Sequence, residues 1–301
     1  MAADFLIVCK SWRGDLRRVA RLLDSAERYN AERIGIVVCV PQEDTALFRD
    51  ALGHGRCEFI EDEAVVAAHP EAARRDLPAR LAATPGRIAQ QVVKSEVWRL
   101  LGCDAYLCAD SDTVFLRPFG RRDFLAPAGH PYTLLHQSRE YLQLATNRGY
   151  PKVVEHFLAE SERVKSQFGR DGPHYDFGPQ PLLWSARVWH DLHERWLAPR
   201  GMTLWDAIDL APTEIRWYGE ALLALRSIPI DPVEPLFRVY HHDWQHAAMR
   251  RLGETEATVA QHYIGVVYQS NWEYELDAAG TRTAASRAVR RIKRWLRQAR
   301  G

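Results

Sequence analysis

Asp110 and Asp112 stand one residue apart where an apolar run, Ala105-Tyr106-Leu107-Cys108-Ala109, gives way to a second, Thr113-Val114-Phe115-Leu116. Alternate side chains of an extended segment share a face, so both carboxylates point the same way where the strand opens into a turn. Such a pair repels itself unless a cation lies between its members, and a lone carboxylate inside an apolar run is costly to bury. Hard cations such as Mg²⁺ and Mn²⁺ take oxygen ligands and keep positions open for substrate phosphates. Asp110-Ser111-Asp112 therefore reads as a site for a metal-bound phosphate or diphosphate. The plain alternative is a solvated turn between two strands.

The elements that must hold this pair alternate over the first 120 residues. Residues 5–9 read as a short apolar strand and residues 13–29 as a helix, with Leu16, Val19, Ala20, Leu22, Leu23 and Ala26 forming its apolar stripe. Residues 34–40 form a second buried strand, 45–52 a short helix, 57–60 a third strand, 69–86 a loop and 88–101 a helix leading to the aspartate strand. Repeated βα units predict an α/β fold with a mostly parallel central sheet flanked by helices, whose ligands bind at the carboxyl ends of the strands. The turn Lys10-Ser11-Trp12 lies at that edge and is expected to help cradle a nucleotide base or ribose. Beyond Arg117-Pro118-Phe119 the segments shorten. Strands are expected at 132–135, 182–185 and 227–230, and helices at 153–168, 186–196 and 213–225. No repeat or low-complexity linker divides the chain, which reads as a nucleotide half (1–125), an acceptor half of the same domain (126–280) and a basic tail (281–301).

Composition narrows the classes. A chain of 301 residues with 47% hydrophobic and 26% charged residues is an ordinary globular protein able to bury a large core. A net charge of +1 argues against nucleic acid as the main partner. The charge is uneven, because residues 287–300 hold seven basic side chains and no acidic one. Val289, Ile292 and Leu296 share one face of that stretch, as in an amphipathic helix drawn to an anionic membrane surface. Cys9, Cys39 and Cys108 sit in strand-like runs and read as buried hydrophobes of a reducing compartment. With no signal-like start and no membrane-length apolar stretch, the expected location is cytoplasmic, with the tail peripheral on the inner face of the membrane.

In their order, four segments resemble those of glycosyltransferases of the GT-A fold, the Rossmann-like nucleotide-diphospho-sugar transferases. These are Gln90-Gln91-Val92-Val93-Lys94, the Asp110–Asp112 strand running on to Phe119, Glu214-Ile215-Arg216-Trp217-Tyr218-Gly219, and Gln261-His262-Tyr263-Ile264-Gly265 followed by Gln269-Ser270-Asn271-Trp272. The likeness spans residues 4–273 and is closest to bacterial nucleotide-sugar transferases carrying the D-x-D motif. It implies transfer from a nucleotide-diphosphate sugar, a UDP-sugar above others, to a glycan or lipid-linked acceptor in surface polysaccharide synthesis. It also implies Mn²⁺ or Mg²⁺ on Asp110 and Asp112, with His262 as a further ligand, and Lys94 and Gln91 with Ser111 near the donor. Glu214 matches the base of inverting enzymes, and Asp112 acts in catalysis through the metal.

Alternatives stand beside these expectations. Thr213 reads as a helix cap and Glu214 as an acid favoured by the helix's positive end, whether or not it does chemistry. Asp176 and Asp243 are other candidate bases, and the turn Asp176-Phe177-Gly178-Pro179-Gln180 can approach a sugar closely. His241-His242-Asp243-Trp244-Gln245-His246 reads as a polar substrate loop, since its spacing fits no common zinc pattern. The ten tryptophans suit sugar stacking or core packing equally well. Asp110-Ser111-Asp112-Thr113-Val114 also matches the first motif of haloacid-dehalogenase-type phosphatases. Against that, about a hundred residues of βα pattern precede it and no later Asp-Asp pair follows. A non-catalytic nucleotide-sugar or glycan-binding module is the third class.

Overall fold

Alternation along the first strand divides the interior in two. In the computed structural model, which describes residues 5–273 and 276–277, strand β1 (Phe5–Lys10) sends Phe5, Ile7 and Cys9 into one core and Val8 into another. Helix α1 (Leu16–Tyr29) follows, then β2 (Gly35–Val40), α2 (Gln42–Leu52), β3 (Glu58–Glu61), α3 (Asp62–Ala67), α4 (Leu77–Ala83), α5 (Gly86–Glu96), β4 (Ala105–Asp110) and β5 (Thr113–Phe115). The second half adds β6 (Thr133–Leu134), α6 (Arg139–Asn147), α7 (Pro151–Lys165), β7 (Leu182–Ser185), α8 (Ala186–Asp191), α9 (Leu204–Leu210) and α10 (Glu214–Leu225). It closes with β8 (Pro232–Val233), β9 (Phe237–Tyr240), α11 (Asp243–Arg251), α12 (Glu256–Val259) and β10 (Gly265–Tyr268).

The central sheet has the order β3-β2-β1-β4-β7, parallel except for β7, which runs antiparallel to β4. Its two faces keep the parity of β1. Ala105, Leu107 and Ala109 of β4 join the core that holds α1, while Tyr106 and Cys108 join the one that holds α5, α8, α9 and α10. Both cores draw on residues from either side of position 125. A second sheet, β5-β10-β9, pairs β10 antiparallel to β5 and parallel to β9, so β9 and β10 end beside the start of β5.

Some expected boundaries shift for local reasons. The loop expected at 69–86 contains α4, and the helix expected at 88–101 ends as α-helix at Glu96 and closes in a tighter turn through Arg99. Residues 227–230 form no strand; the nearby one is the two-residue β8. Trp184, Trp189, Trp196, Trp205 and Trp217 are buried in one core, so packing accounts for them. Residues 278–301, with the basic amphipathic stretch, lie outside the described residues. Among the described residues no helix is long and apolar enough to cross a membrane.

Two contacts fix the parts around the aspartates. Gly219 of α10 lets the Phe177 ring lie against the helix, since a Cβ there would stand 2.0 Å from Phe177 Cγ. Gly219→Ala is therefore expected to destabilise by about 1–3 kcal/mol through overpacking, more than the roughly 1 kcal/mol that helix propensity returns. A urea midpoint equal to or above that of the wild type would refute this. The chain after β10 is tied back to α1. Arg21 meets both Glu273 carboxylate oxygens at 2.7 and 2.8 Å, and buried Arg18 meets Asp277 at 2.7 Å and Asp15 at 2.6 Å.

Candidate functional site

β1 and β4 are neighbours, but β2 and β3 lie on the other side of β1, so the chain reverses its winding at this pair. Crevices form at such points, outside the carboxyl ends of the strands. Lys10 of β1 stands opposite Asp110 of β4 here. Asp110 continues the parity of Tyr106 and Cys108 and so faces α5, where Lys94 Nζ meets its Oδ1 at 2.6 Å. The same ammonium lies 3.3 Å from Gln180 Oε1 and 3.8 Å from Glu214 Oε1, and Gln180 Nε2 donates to Glu214 Oε1 at 3.3 Å. Three of the expected residues, Lys94, Asp110 and Glu214, thus meet, joined by Gln180 from the turn that Gly219 admits.

Burial opposes the charge on Lys94, yet Asp110 and Glu214 outweigh it and hold its pKa above the ordinary value. Burial raises the pKa of Glu214; Lys94 works against that shift and Asp110 adds to it. Lys94 is only 3% exposed. Its position is that of a buried counter-ion organising two carboxylates.

Asp112 lies past the strand end, 4% exposed. Its Oδ2 accepts the Ser270 N–H at 2.7 Å, and its main-chain carbonyl accepts from Tyr268 at 3.3 Å. Its Oδ1 is buried with no partner. Burial, then repulsion from Asp110, pushes its carboxyl up to about 8, against the Ser270 bond. An orphaned carboxylate oxygen beside a second carboxylate fits a divalent cation, which removes both penalties. Asp110 and Asp112 are the residues that would hold it. Ser111 is buried in the turn between them.

Other expected residues are placed differently. Lys10 turns inwards on the side of Val8, pairing with Asp62 at 2.9 Å and donating to the Ser11 carbonyl. Its charge is already matched, so the structure does not offer it to a phosphate. Ser11 is buried, with its Oγ unpartnered. Of that turn Trp12 alone faces solvent, 46% exposed. Its ring lies over Gly14, where a Cβ would come within 2.2 Å, and its N–H donates to Asp15 at 3.1 Å. Gln90 and Gln91 both direct Nε2 to the Arg87 carbonyl at 3.4 Å, and Gln91 Oε1 is buried without a partner.

His262 is not brought to the aspartates. It is exposed and precedes β10, whereas Asp112 contacts Tyr268 at the end of β10 and Ser270 beyond it. A strand displaces the chain by about 3.3 Å per residue, so the length of β10 separates them. The histidine on the aspartate side is His241, at the end of β9. Its Nδ1 lies 3.4 Å from Gln269 Nε2, and its carbonyl accepts from Asn271 at 3.4 Å. Burial, with His242 beside it, holds the His241 imidazolium down at about 4, against the pull of Asp176. His241 is therefore neutral at physiological pH. The sequence offers Ser270 only within the ordered segment Gln269-Ser270-Asn271-Trp272, and His241 only as part of a polar substrate loop.

Asp176 accepts from Ser138 Oγ and, at 3.1 Å, from the Gly178 N–H. Asp243 is buried at the start of α11, its Oδ1 accepting the Trp244 N–H at 2.8 Å. A cavity of about 830 Å³ opens here, lined by His136, Ser138, Tyr141, Pro179, His241 and His262 among others. Its His241 contacts Gln269 and Asn271, which flank Ser270, and its Pro179 precedes Gln180, so the cavity adjoins the aspartate corner through these neighbours. The site so assembled has a carboxylate pair suited to a cation, a buried lysine behind it and a polar cavity beside it. No curated protein matches the chain. Residues 6–277 match the model of a family of unknown function (DUF6492), and the chain belongs to that family.

Proposed function

We propose that this chain is a metal-dependent glycosyltransferase of GT-A type, moving a sugar from a nucleotide-diphosphate sugar to a glycan or lipid-linked acceptor. The observation that carries the reading is the Asp110–Asp112 pair at the winding reversal, with Asp112 Oδ1 buried and unpartnered. A bound Mn²⁺ or Mg²⁺ would neutralise charge on the departing diphosphate, the largest electrostatic demand of such a transfer. The chain's own residues do the rest. Lys94 orients Asp110, the Ser270 N–H orients Asp112, and the half-exposed Trp12 indole offers a flat face to a base.

The cavity beside His241 suits the acceptor. Glu214, bonded to Gln180 and raised in pKa by burial, would take the proton of an attacking hydroxyl. UDP-sugars are the first donors to test. A cytoplasmic location, with the basic tail on an anionic membrane, fits a lipid-linked acceptor.

The test is a thermal-shift series of nucleoside diphosphates with and without Mn²⁺ between pH 6 and 9. Asp112 must lose its proton to ligate, and its pKa lies near 8. Mn²⁺ affinity should therefore rise about tenfold per pH unit towards pH 8 and level off above it. The stabilisation should be absent in Asp112→Ala. A shift that is metal-independent, or that survives the substitution, removes the basis of the reading.

A further inference from the structure

Away from the aspartate corner, His69, Glu96 and His193 bring three ligand atoms within 4.8 Å of one another. All three residues are buried. His69 follows α3, Glu96 ends α5 and His193 lies in the turn Leu192–Leu197, so the convergence is tertiary. His193 Nε2 is 2.8 Å from Glu96 Oε1, yet neither atom has a well-directed hydrogen bond, and His69 Nε2 has none either. The Trp98 indole N–H, whose ring centre is 6.4 Å from that of His193, is likewise buried without a partner. A buried imidazole nitrogen without a partner, beside a close imidazole–carboxylate pair, costs free energy as it stands and offers three donor atoms to a cation.

We propose that His69, Glu96 and His193 form a second divalent-cation site, of the zinc class, that fastens α3, α5 and the Leu192–Leu197 turn to one another. Two imidazoles and one carboxylate are a donor set that zinc takes, leaving one position for water. Burial keeps the His69 pKa below its ordinary value, which favours the ring as a ligand. Burial pushes Glu96 up, but His193 and Arg99 outweigh it and hold it at about 2, ionised. Arg99 Nε contacts the other Glu96 oxygen at 2.5 Å, the outer partner that orients a ligating carboxylate.

Protons occupy these atoms otherwise, and uptake must move them. His69 Nδ1 accepts the Glu71 N–H at 3.0 Å, which places the proton of the neutral ring on Nε2. Ligation through Nε2 sends that proton to Nδ1 and gives up one backbone hydrogen bond. The proton between His193 and Glu96 leaves to solvent, and the pair opens by about half an ångström to the spacing of zinc ligands. Both changes are small beside the affinity of structural zinc sites. Glu96 lies two residues beyond Lys94 on α5, so the cation would steady the helix that carries the counter-ion of Asp110. The proposal does not depend on the function argued above.

Calorimetric titration with ZnCl₂ after dialysis against EDTA tests it, using the full chain carrying Asp112→Asn so that the aspartate corner is silent. The expected result is one zinc per chain and a raised Tm, with affinity at least about a hundredfold weaker in His69→Ala and in His193→Ala. Undiminished binding in both variants, or no binding to the Asp112→Asn chain at about 100 μM zinc, overturns the proposal. Should the alanine variants not fold, His69→Gln keeps a hydrogen-bonding side chain of similar reach. Zinc uptake unchanged in it would be equally fatal.

Discussion

Asp112→Asn is expected to make the protein more stable and to disable it. The Asp112 carboxyl is raised to about 8 by burial and by Asp110. A folded pKa above the unfolded value of about 3.9 means that the folded chain binds the extra proton between those limits. Stability therefore falls as pH rises from about 4 to 8, by up to about 1.4 kcal/mol per unit. Asparagine cannot ionise, so the variant escapes this loss while its side-chain oxygen still accepts the Ser270 N–H. At pH 8, without metal, its Tm should exceed the wild-type value by about 2–6 °C, the shift for one to two kcal/mol in a chain of this size. On the proposed function, transfer or hydrolysis of a nucleotide sugar should fall by about a thousandfold or more, since the change would remove an anionic metal ligand at the point of charge development. Paired measurements of Tm and turnover decide the matter. A lower Tm together with retained turnover would make Asp112 a structural residue and remove it from the site.

Lys94→Met works in the opposite direction. The side chain is 3% exposed and lies between Asp110 at 2.6 Å and Glu214 at 3.8 Å. Removing its charge leaves two carboxylates facing each other without a counter-ion, which costs about 3–5 kcal/mol when one partner of a buried pair is deleted. Arginine is not a conservative replacement, because a planar fork does not fit where a point charge is enclosed. Adding Asp110→Asn to Lys94→Met should recover part of the loss, a coupling measurable by urea denaturation in a double-mutant cycle. A cost below about 1 kcal/mol for the single change would show that water reaches these groups and screens them.

How much of this could be read from the chain follows from where the information lies. β1, β4 and β7 announce themselves as short apolar runs, and the parity of β4 puts Asp110 on the face of Tyr106 and Cys108, though only the fold shows that α5 covers that face. Lys94, Asp110 and Glu214 each stand out in the sequence, but that the lysine lies between the two carboxylates is shown only by the fold. The direction of β7 was not legible, because an apolar run has no sign. Nor were β9 and β10, four residues each, whose pairing with β5 exists only in three dimensions. That pairing decides the histidine, since Asp112 lies where β9 and β10 end, beside His241, whereas His262 stands before the start of β10. Lys10 shows the same limit. Its partner Asp62 sits at the start of α3, and nothing in Lys10-Ser11-Trp12 says that the lysine turns inwards and the tryptophan outwards. The cluster of His69, Glu96 and His193 has no spacing of a metal motif and becomes visible only once α3, α5 and the Leu192–Leu197 turn are packed.

The tie between α1 and the chain beyond β10 bears on how the protein is made. Asp112 and the Ser270 amide that caps it are 158 positions apart. At translation speeds of about 5–20 residues per second, the aspartate turn is synthesised about 10–30 seconds before its cap. Over that interval the first four strands of the central sheet can assemble at the ribosome, but Arg18 has neither Glu273 nor Asp277 to meet, and the Asp110–Asp112 corner stays open to water. The aspartate corner is therefore among the last parts of the nascent chain to close, and an incompletely synthesised chain carries the aspartates without the groups that hold them in place.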